Sequence, residues 1–274
     1  TTDSNPGLTL TFPATFPSGQ TPDEELPDGT TLTVEVTAEN STSTDSKEAT
    51  VQPVSPDPTP TIPLAGLTTI WSGNENPRKI VTGMNLQSSG GMVWIKNATG
   101  GNPHNLFDTV RGPLKSLASN DNAAELDSVG TLTSFDNDGF SIAANSYVNG
   151  TSYDYVGWSF GKAAGYFDVV QYTGNDAATQ SISHSLATRP GFVITKQISS
   201  PASSWACWHT GLISEQWYIY LDQSLAQGNG GGSVNWGITD STFDANSGLG
   251  NNNSSSSYIS YLFAEDTPGV IKCG

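Results

Sequence analysis

The 274-residue sequence is poor in charge, and in positive charge above all. Charged side chains make up 13% of the residues, about half the usual share. The chain has 10 Lys and Arg against 26 Asp and Glu, which gives a net charge of −16. Such a chain lacks the basic patches that bind nucleic-acid phosphates or an anionic membrane surface. We therefore expect neither partner.

Helix-forming residues, long apolar runs and cysteines are also scarce. Lys, Glu, Arg and Leu favour helices, and their low content predicts a protein built mainly from strands. No run approaches the ~20 apolar residues of a membrane span, so membrane insertion is not expected. Cys207 and Cys273 are too few for a disulfide framework or a zinc site. We expect two free thiols with no chemical role, and no cofactor.

The first 51 residues predict a small immunoglobulin-like β module. Thr30–Ala38 and Leu8–Phe12 alternate apolar and polar side chains, the pattern of half-buried strands. Immunoglobulin-like sandwiches usually need about 100 residues, so a neighbour or a further segment would have to complete this module. Residues 52–65 include the proline-rich run QPVSPDPTPTIP, which predicts a stiff, extended linker.

The remainder of the chain repeats itself. Gly91–Asn97 matches Gly191–Gln197 at an offset of 100 residues. Phe140–Phe160 aligns without gaps on Phe243–Phe263 at an offset of 103. The matches fall on large apolar and aromatic positions, where a shared core would be visible. The sequence therefore indicates an internal duplication.

Aromatic and β-branched runs separated by Gly and Asn turns predict antiparallel sandwiches. We expect an all-β fold in which the N-terminal module precedes two tandem, jelly-roll-like β-sandwich repeats, at 66–164 and 165–274. Pro113–Ala124 is the only helix candidate, with the proline in a first turn.

The densest acidic cluster is Asp136-Asn137-Asp138-Gly139. Closely spaced oxygen ligands of this kind suit Ca²⁺, so Asp136 and Asp138 are candidate metal ligands. Asn-Asp-Gly between two phenylalanines is also an ordinary hairpin turn. The aligned stretch of the second repeat keeps only Asp240, which favours the turn over the metal site.

A group of aromatic residues in the second repeat suggests glycan binding. Aromatic faces stack on sugar rings while neighbouring amides bond to hydroxyl groups. The alternative is that these side chains simply fill the core of a sandwich. The candidates are Trp205, Trp208, Trp217, Tyr220 and Trp236.

No catalytic motif is recognisable, and we expect no enzyme. The chain has no G-x-S-x-G elbow, and His104, His184 and His209 are expected at turns or at the surface. A polysaccharide-degrading enzyme would need two carboxylates across a cleft, a distance that sequence cannot supply. Asp108 and Arg111 are expected to pair with each other within the fold.

The order of several segments resembles a module common in tail-fibre and other virion proteins of marine phages, cyanophages especially. The resemblance runs from about Leu67 to Glu265 and ends on Tyr258-Ile-Ser-Tyr-Leu-Phe-Ala-Glu265, which is similar to a "Y-I-A-Y-C-F-A-E" stretch of those proteins. The other matching segments are Val93–Asn97, Leu106–Gly112, Leu132–Phe140, Tyr155–Trp158 and His184–Lys196.

This resemblance implies a non-enzymatic structural protein on the virion exterior, in a tail fibre or surface appendage. The expected partners are further copies of the chain or other virion proteins, with a host surface glycan as an additional ligand. The alternative is a subunit of a bacterial extracellular filament or adhesin, assembled by β-strand exchange through the N-terminal region. The start at Thr1 suggests a processed or partial product, which fits this alternative better.

Overall fold

A computed structural model of the chain describes residues 33–40, 43–50, 66–127, 130–199 and 203–273. The chain divides into two compact units, with the boundary between residues 61 and 62. The predicted strand Leu8–Phe12 and the predicted linker at 52–65 lie outside the described residues.

In the first unit, two strands form an antiparallel hairpin. Strand β1 (Thr33–Asn40) pairs with β2 (Ser43–Thr50) over its whole length. Residues 33–38 of the predicted strand Thr30–Ala38 thus lie in β1, and residues 30–32 lie outside the described residues. The two strands are consistent with an immunoglobulin-like module, which stays a prediction.

The second unit is built from short strands. Its strands are β3 (Gly66–Ser72), β4 (Arg78–Val81), β5 (Gly91–Asn97), β6 (Asn105–Asp108), β7 (Lys115–Ala118), β8 (Leu126–Asp127), β9 (Leu132–Asp136), β10 (Gly139–Ile142), β11 (Asp154–Gly161), β12 (Phe167–Thr173), β13 (Thr179–Ser183), β14 (Pro190–Gln197), β15 (Ala206–His209), β16 (Trp217–Tyr220), β17 (Gly228–Asn229), β18 (Thr242–Asn246), β19 (Ser257–Ala264), β20 (Asp266–Thr267) and β21 (Ile271–Lys272). Its helical segments are α1 (Leu86–Ser89) and two 3₁₀ turns, Gly231–Ser233 and Ser247–Leu249.

Two six-stranded antiparallel sheets dominate the second unit. The first large sheet has the order β3-β11-β5-β6-β7-β8, and the second has the order β12-β19-β14-β15-β16-β17. The two orders correspond: in each sheet the first strand in sequence pairs with the last, and the third to sixth strands of that half follow. A small sheet, β4-β10-β9, accompanies the first large sheet, and the pair β13-β18 accompanies the second. The all-β prediction is confirmed, as is the sandwich character. The division at residue 164 stays a prediction.

Three apolar cores separate these layers. The first lies between the first large sheet and β4-β10-β9, and includes Trp71, Phe107 and Phe140. The second lies between the second large sheet and β13-β18, and includes Trp236 and Phe243. The third, called here the central core, lies between the two large sheets. Its buried members are Met92, Leu106, Leu117, Tyr166, Phe167, Val169, Ile194, Trp205, Cys207, Ile259, Tyr261 and Phe263.

The same corner is built twice, once in each half. Asn149 is fully buried; its amide donates to the Asn76 carbonyl at 2.7 Å and accepts from the Asn74 N–H at 3.2 Å. Asn252 makes the matching contacts, at 2.8 and 3.1 Å, with the loop that follows β12. Each asparagine thereby satisfies main-chain groups of a loop that has no ladder partner.

Glycines let the main chains approach closely at these corners. A Cβ on Gly73 would lie 2.0 Å from the Gly150 carbonyl oxygen, and one on Gly174 would lie 2.4 Å from that of Asn253. Neither distance leaves room for a side chain, so both corners require glycine. The equivalence of the two corners agrees with the duplication seen in the sequence.

The predicted helix at Pro113–Ala124 is wrong. Leu114 has a φ of 68°, in the left-handed region, which a continuing α-helix cannot contain. Lys115–Ala118 instead forms β7, which pairs with β6 on one side and β8 on the other. Sheet pairing therefore overrides the local helix signal here.

Candidate functional site

Three of the five predicted glycan-binding aromatics are buried. Trp205 and Trp236 are fully buried, and Trp208 is 3% exposed. Trp205 belongs to the central core and the other two to the second core. The indole N–H of Trp205 donates to the carbonyls of Ala118 and Asp121 at 3.0 and 2.9 Å. These rings have no face open to a sugar and act as core residues.

Trp217 and Tyr220 are half-buried on β16. Because successive side chains of a strand point to opposite faces, two residues three positions apart lie on opposite faces. Tyr220 packs with Tyr218 against the second core, with ring centroids 5.2 Å apart. The two residues therefore form no common platform, and glycan binding stays a prediction for each of them separately.

Asp136 precedes a hairpin turn and Asp138 lies within it, as the repeat comparison favoured. Asp136 pairs with Gly139 across the turn between β9 and β10. Its carboxylate accepts from the Ser134 and Ser141 hydroxyls at 2.9 and 2.7 Å. The Asp138 carboxylate pairs with the Lys79 ammonium at 2.7 Å. Among the described residues, no three His, Cys, Asp or Glu side chains are grouped to hold a metal ion.

The histidines and cysteines have structural surroundings. The ring Nδ1 atoms of His184 and His209 each accept from the N–H two residues later, at 3.2 and 2.9 Å, so both side chains stabilise turns. His104 directly precedes β6 and is half-buried. Both cysteines are free thiols, as predicted, and burial raises the pKa of Cys207 far from the thiolate range.

A buried polar junction joins the two large sheets. Asp108, at the end of β6, accepts from the Arg111 Nε at 2.5 Å and from the Tyr261 hydroxyl at 2.8 Å. Tyr261 lies on β19 of the second large sheet. Arg111 also donates to the Leu106 carbonyl at 3.1 Å and pairs with Glu125 at 3.3 Å. The predicted pairing of Asp108 with Arg111 is confirmed, and it bridges the two halves.

The electrostatics of this junction fix its protonation. Burial works to lower the pKa of Arg111, but the interactions with Tyr261, Asp108 and Glu125 outweigh it and raise that pKa above its usual range. Burial raises the pKa of Tyr261 well above its ordinary value, and the nearby Asp108 carboxylate adds to the rise. Tyr261 therefore stays protonated and donates its hydrogen to Asp108, while Arg111 stays charged.

One face of the first large sheet packs into the central core through β5, β6 and β7. The same face continues across β11 and β3, outside that core. On β3 and β11, side chains of the same parity point to this face, and Ile70 and Thr68 lie opposite Val156 and Trp158 in register. Trp94 on β5 lies opposite Trp158, with ring centroids 5.9 Å apart. We call Thr68, Ile70, Trp94, Val156 and Trp158 the β3–β11 patch. Ile70 is 77% exposed.

Sequence reasoning did not assign Tyr261 to the junction or recognise the patch as a surface. One signal was present: β19 reads Tyr-Ile-Ser-Tyr-Leu-Phe, with apolar side chains at both parities. A strand of this kind is covered on both faces. Strand β11 likewise has large apolar side chains on both faces, with Tyr155 on one face and Val156 and Trp158 on the other. This pattern would have indicated that both faces of the first large sheet are suited to packing.

One small pocket opens near the connection between the halves. Its volume is about 130 Å³, whereas pockets for small-molecule ligands have about 300 Å³ or more. The lining residues are Gly83, Met84, Asn85, Ser89, Gly161, Lys162 and Ala163. The Lys162 ammonium pairs with Asp168 at 2.8 Å, so this cation already has a carboxylate partner. No helix among the described residues has the length and apolar character needed to cross a membrane.

The chain was compared with protein families, curated proteins and solved structures. Searches of curated proteins and of solved structures found no significant similarity. A family model described as "Domain of unknown function (DUF7483)" matches residues 67–274. This range begins within β3, contains both large sheets and covers more than half of the chain. The chain therefore belongs to the DUF7483 family.

Proposed function

We propose that this chain is a non-enzymatic structural protein of a phage virion exterior, in a tail fibre or surface appendage. The observation that supports it best is the central core. Two large sheets share one buried interface, fastened by the Asp108–Arg111–Tyr261 junction. Because the two sheets are packed together in this way, the two halves should move as one rigid unit. Such a unit suits a protein that transmits force along a fibre.

The finer architecture is part of this proposal. Two jelly-roll-like repeats in tandem would follow a proline-rich spacer and an immunoglobulin-like N-terminal module. The matching strand orders of the large sheets support the tandem repeats, and the β1–β2 hairpin supports the N-terminal module. Host attachment through glycans is a further part, for which Trp217 and Tyr220 are the remaining half-buried candidates.

The test is electron microscopy of native material with a gold-labelled antibody against this chain. Label on phage particles, at a fibre or another external part, supports the proposal and identifies that part. Label confined to free filaments, in preparations without particles, rejects it. Labelled material from a strain that lacks the gene serves as the control for antibody specificity.

A bacterial filament subunit or adhesin is the second candidate, and the N-terminal hairpin favours it. Among the described residues, β1 and β2 pair only with each other. A two-stranded sheet by itself is only marginally stable in water, and strand addition from a neighbouring subunit would extend it. Deleting residues 1–51 should then abolish filament formation while residues 62–274 still fold. Filaments of unchanged length after the deletion would contradict this candidate.

A further inference from the structure

At one exposed position the β3–β11 patch is apolar where the second large sheet is polar. Ile70 pairs in register with Val156, and the equivalent pair in the second large sheet is Gln171 with Ile259. Both Ile70 and Gln171 are exposed. In the second half the solvent-exposed position is therefore occupied by a polar residue, Gln171, as expected for a protein surface. The first half has an isoleucine there, 77% exposed.

In the second large sheet, the face equivalent to the patch is buried in the central core. The positions equivalent to Thr68, Trp94, Val156 and Trp158 are Val169, Ile194, Ile259 and Tyr261, and all four are buried in the central core. Strands β5 to β7 of the first large sheet supply the covering residues Met92, Leu106 and Leu117. A sheet face of this type is thus complementary to a related sheet face, and the patch continues that interface on the same surface.

The patch carries little charge. A net charge of −16 makes most surfaces of the chain repel a second copy. None of the five patch residues is charged, and Lys96, in register with Val156, and Asp154, two residues before it on β11, border the patch with one charge of each sign. Two copies can therefore meet here with less repulsion than elsewhere.

The edge strand next to the patch does not block an approaching chain. Natural edge strands are protected by charges, prolines or bulges. Strand β3 reads Gly-Leu-Thr-Thr-Ile-Trp-Ser and contains none of these, whereas its counterpart β12 contains the buried carboxylate of Asp168. The edge and the face of β3 are both suited to contact.

We infer that a second copy of this chain binds the β3–β11 patch, so that the protein forms a two-fold dimer through the first large sheet. Two-fold pairing is the commonest closed arrangement and places the same patch on both sides of the interface. The inference concerns self-association only, and it holds or fails whether or not the chain belongs to a virion.

Sedimentation velocity of the full chain over a range of micromolar concentrations is the first test. The expected result is a reversible monomer–dimer equilibrium that Ile70→Gln weakens about tenfold or more. Ile213→Gln is the matched control, because Ile213 is 68% exposed outside the patch; it should leave the equilibrium unchanged. Since both side chains are exposed in the single chain, neither substitution should lower the melting temperature at concentrations too dilute for the dimer. A monomer at every concentration, or equal effects of the two substitutions, would overturn the inference.

Hydroxyl-radical footprinting of Trp158 shows whether the patch is covered by a second copy, by another segment of the same chain or by neither. Protection that grows with protein concentration supports the second copy. Full protection in dilute monomer means that another segment of the same chain covers the patch. Full reactivity at all concentrations means that nothing in the purified protein covers it. Either of the last two results rejects the dimer.

Discussion

Two lysines at equivalent strand positions, Lys96 on β5 and Lys196 on β14, lie in different surroundings. Lys96 is half-buried beside the β3–β11 patch. Lys196 is fully buried, with its ammonium 5.9 Å from the Trp205 ring centroid and bonded to the carbonyls of Asn122 and Gln197 at 3.1 and 2.8 Å. Asn122 belongs to the first half, so the environment of Lys196 is completed across the sheet interface.

The two halves share the packing inside each sandwich but differ on the sheet faces that point toward the other half. Each half has its own buried corner asparagine and a ring stack at the same place: Trp71 on Tyr155, and Tyr172 on Tyr258, with centroids 5.7 and 5.1 Å apart. The face toward the other half has diverged instead. Duplicated sequence therefore maintains each sandwich, while the substitutions that distinguish the halves concern the interface between them.

The largest expected effect comes from Arg111→Leu, which introduces the residue found at the equivalent position 212. It leaves the Asp108 carboxylate buried without its cation. We expect a loss of about 3–5 kcal/mol in the free energy of unfolding, measured by urea denaturation. Arg189→Leu is the control, since Arg189 is 38% exposed and its partners Glu215 and Glu265 are 28% and 37% exposed, so water can reach the groups that lose their partner; about 1 kcal/mol is expected. Equal losses would contradict a special role for the junction.

The next prediction tests the likeness of the two corners. Gly73→Ala and Gly174→Ala each force a Cβ against a main-chain carbonyl, and each should cost about 3 kcal/mol. Gly101→Ala, where a Cβ would meet nothing within 4 Å, should change stability by less than about 0.5 kcal/mol. Thermal unfolding measures all three variants. A large loss at only one of the two corners would show that the corners are not equivalent.

The smallest expected effect concerns the two lysines and pH. Burial lowers the pKa of Lys196 to about 8 from an ordinary 10.5, against the opposing pull of Asp222 and Asp121. Between these pH values the unfolded chain binds more protons at this site than the folded chain. Stability therefore rises with pH above about 8 and is insensitive to this group below it.

Urea denaturation of the wild type and of Lys196→Met, at pH values from about 7 to about 10, measures this contribution. The wild type should gain about 2 kcal/mol relative to the variant over that window, which ends where tyrosines of the unfolded chain begin to ionise. Lys96→Met is the matched control and should follow the wild type. Parallel pH profiles for all three proteins would mean that Lys196 is not desolvated as the structure indicates.

Sequence alone predicts local features inside each half, such as its corners and turns. The alignment of Phe140–Phe160 with Phe243–Phe263 anticipates the paired corners, and the turn at Asn137-Asp138 follows from local residue preferences. The central core could not be predicted, because an apolar strand face does not reveal which sheet covers it. The burial of Trp205 follows from the contact with Ala118, which lies 87 residues earlier in the chain. The buried aromatics were for this reason open to a glycan-binding interpretation.

The strand order of the large sheets also has a consequence for biosynthesis. The first and last strands of each large sheet pair directly, Gly66 with Phe160 and Phe167 with Phe263, so each sheet is complete only when its last strand has been made. Translation proceeds at roughly 5–20 residues per second, and the second sheet closes about one hundred residues after the first. For about 5–20 seconds the nascent chain therefore carries one finished sheet with Met92, Leu106 and Leu117 uncovered. Until the second sheet forms, these apolar side chains are open to non-native association with other chains.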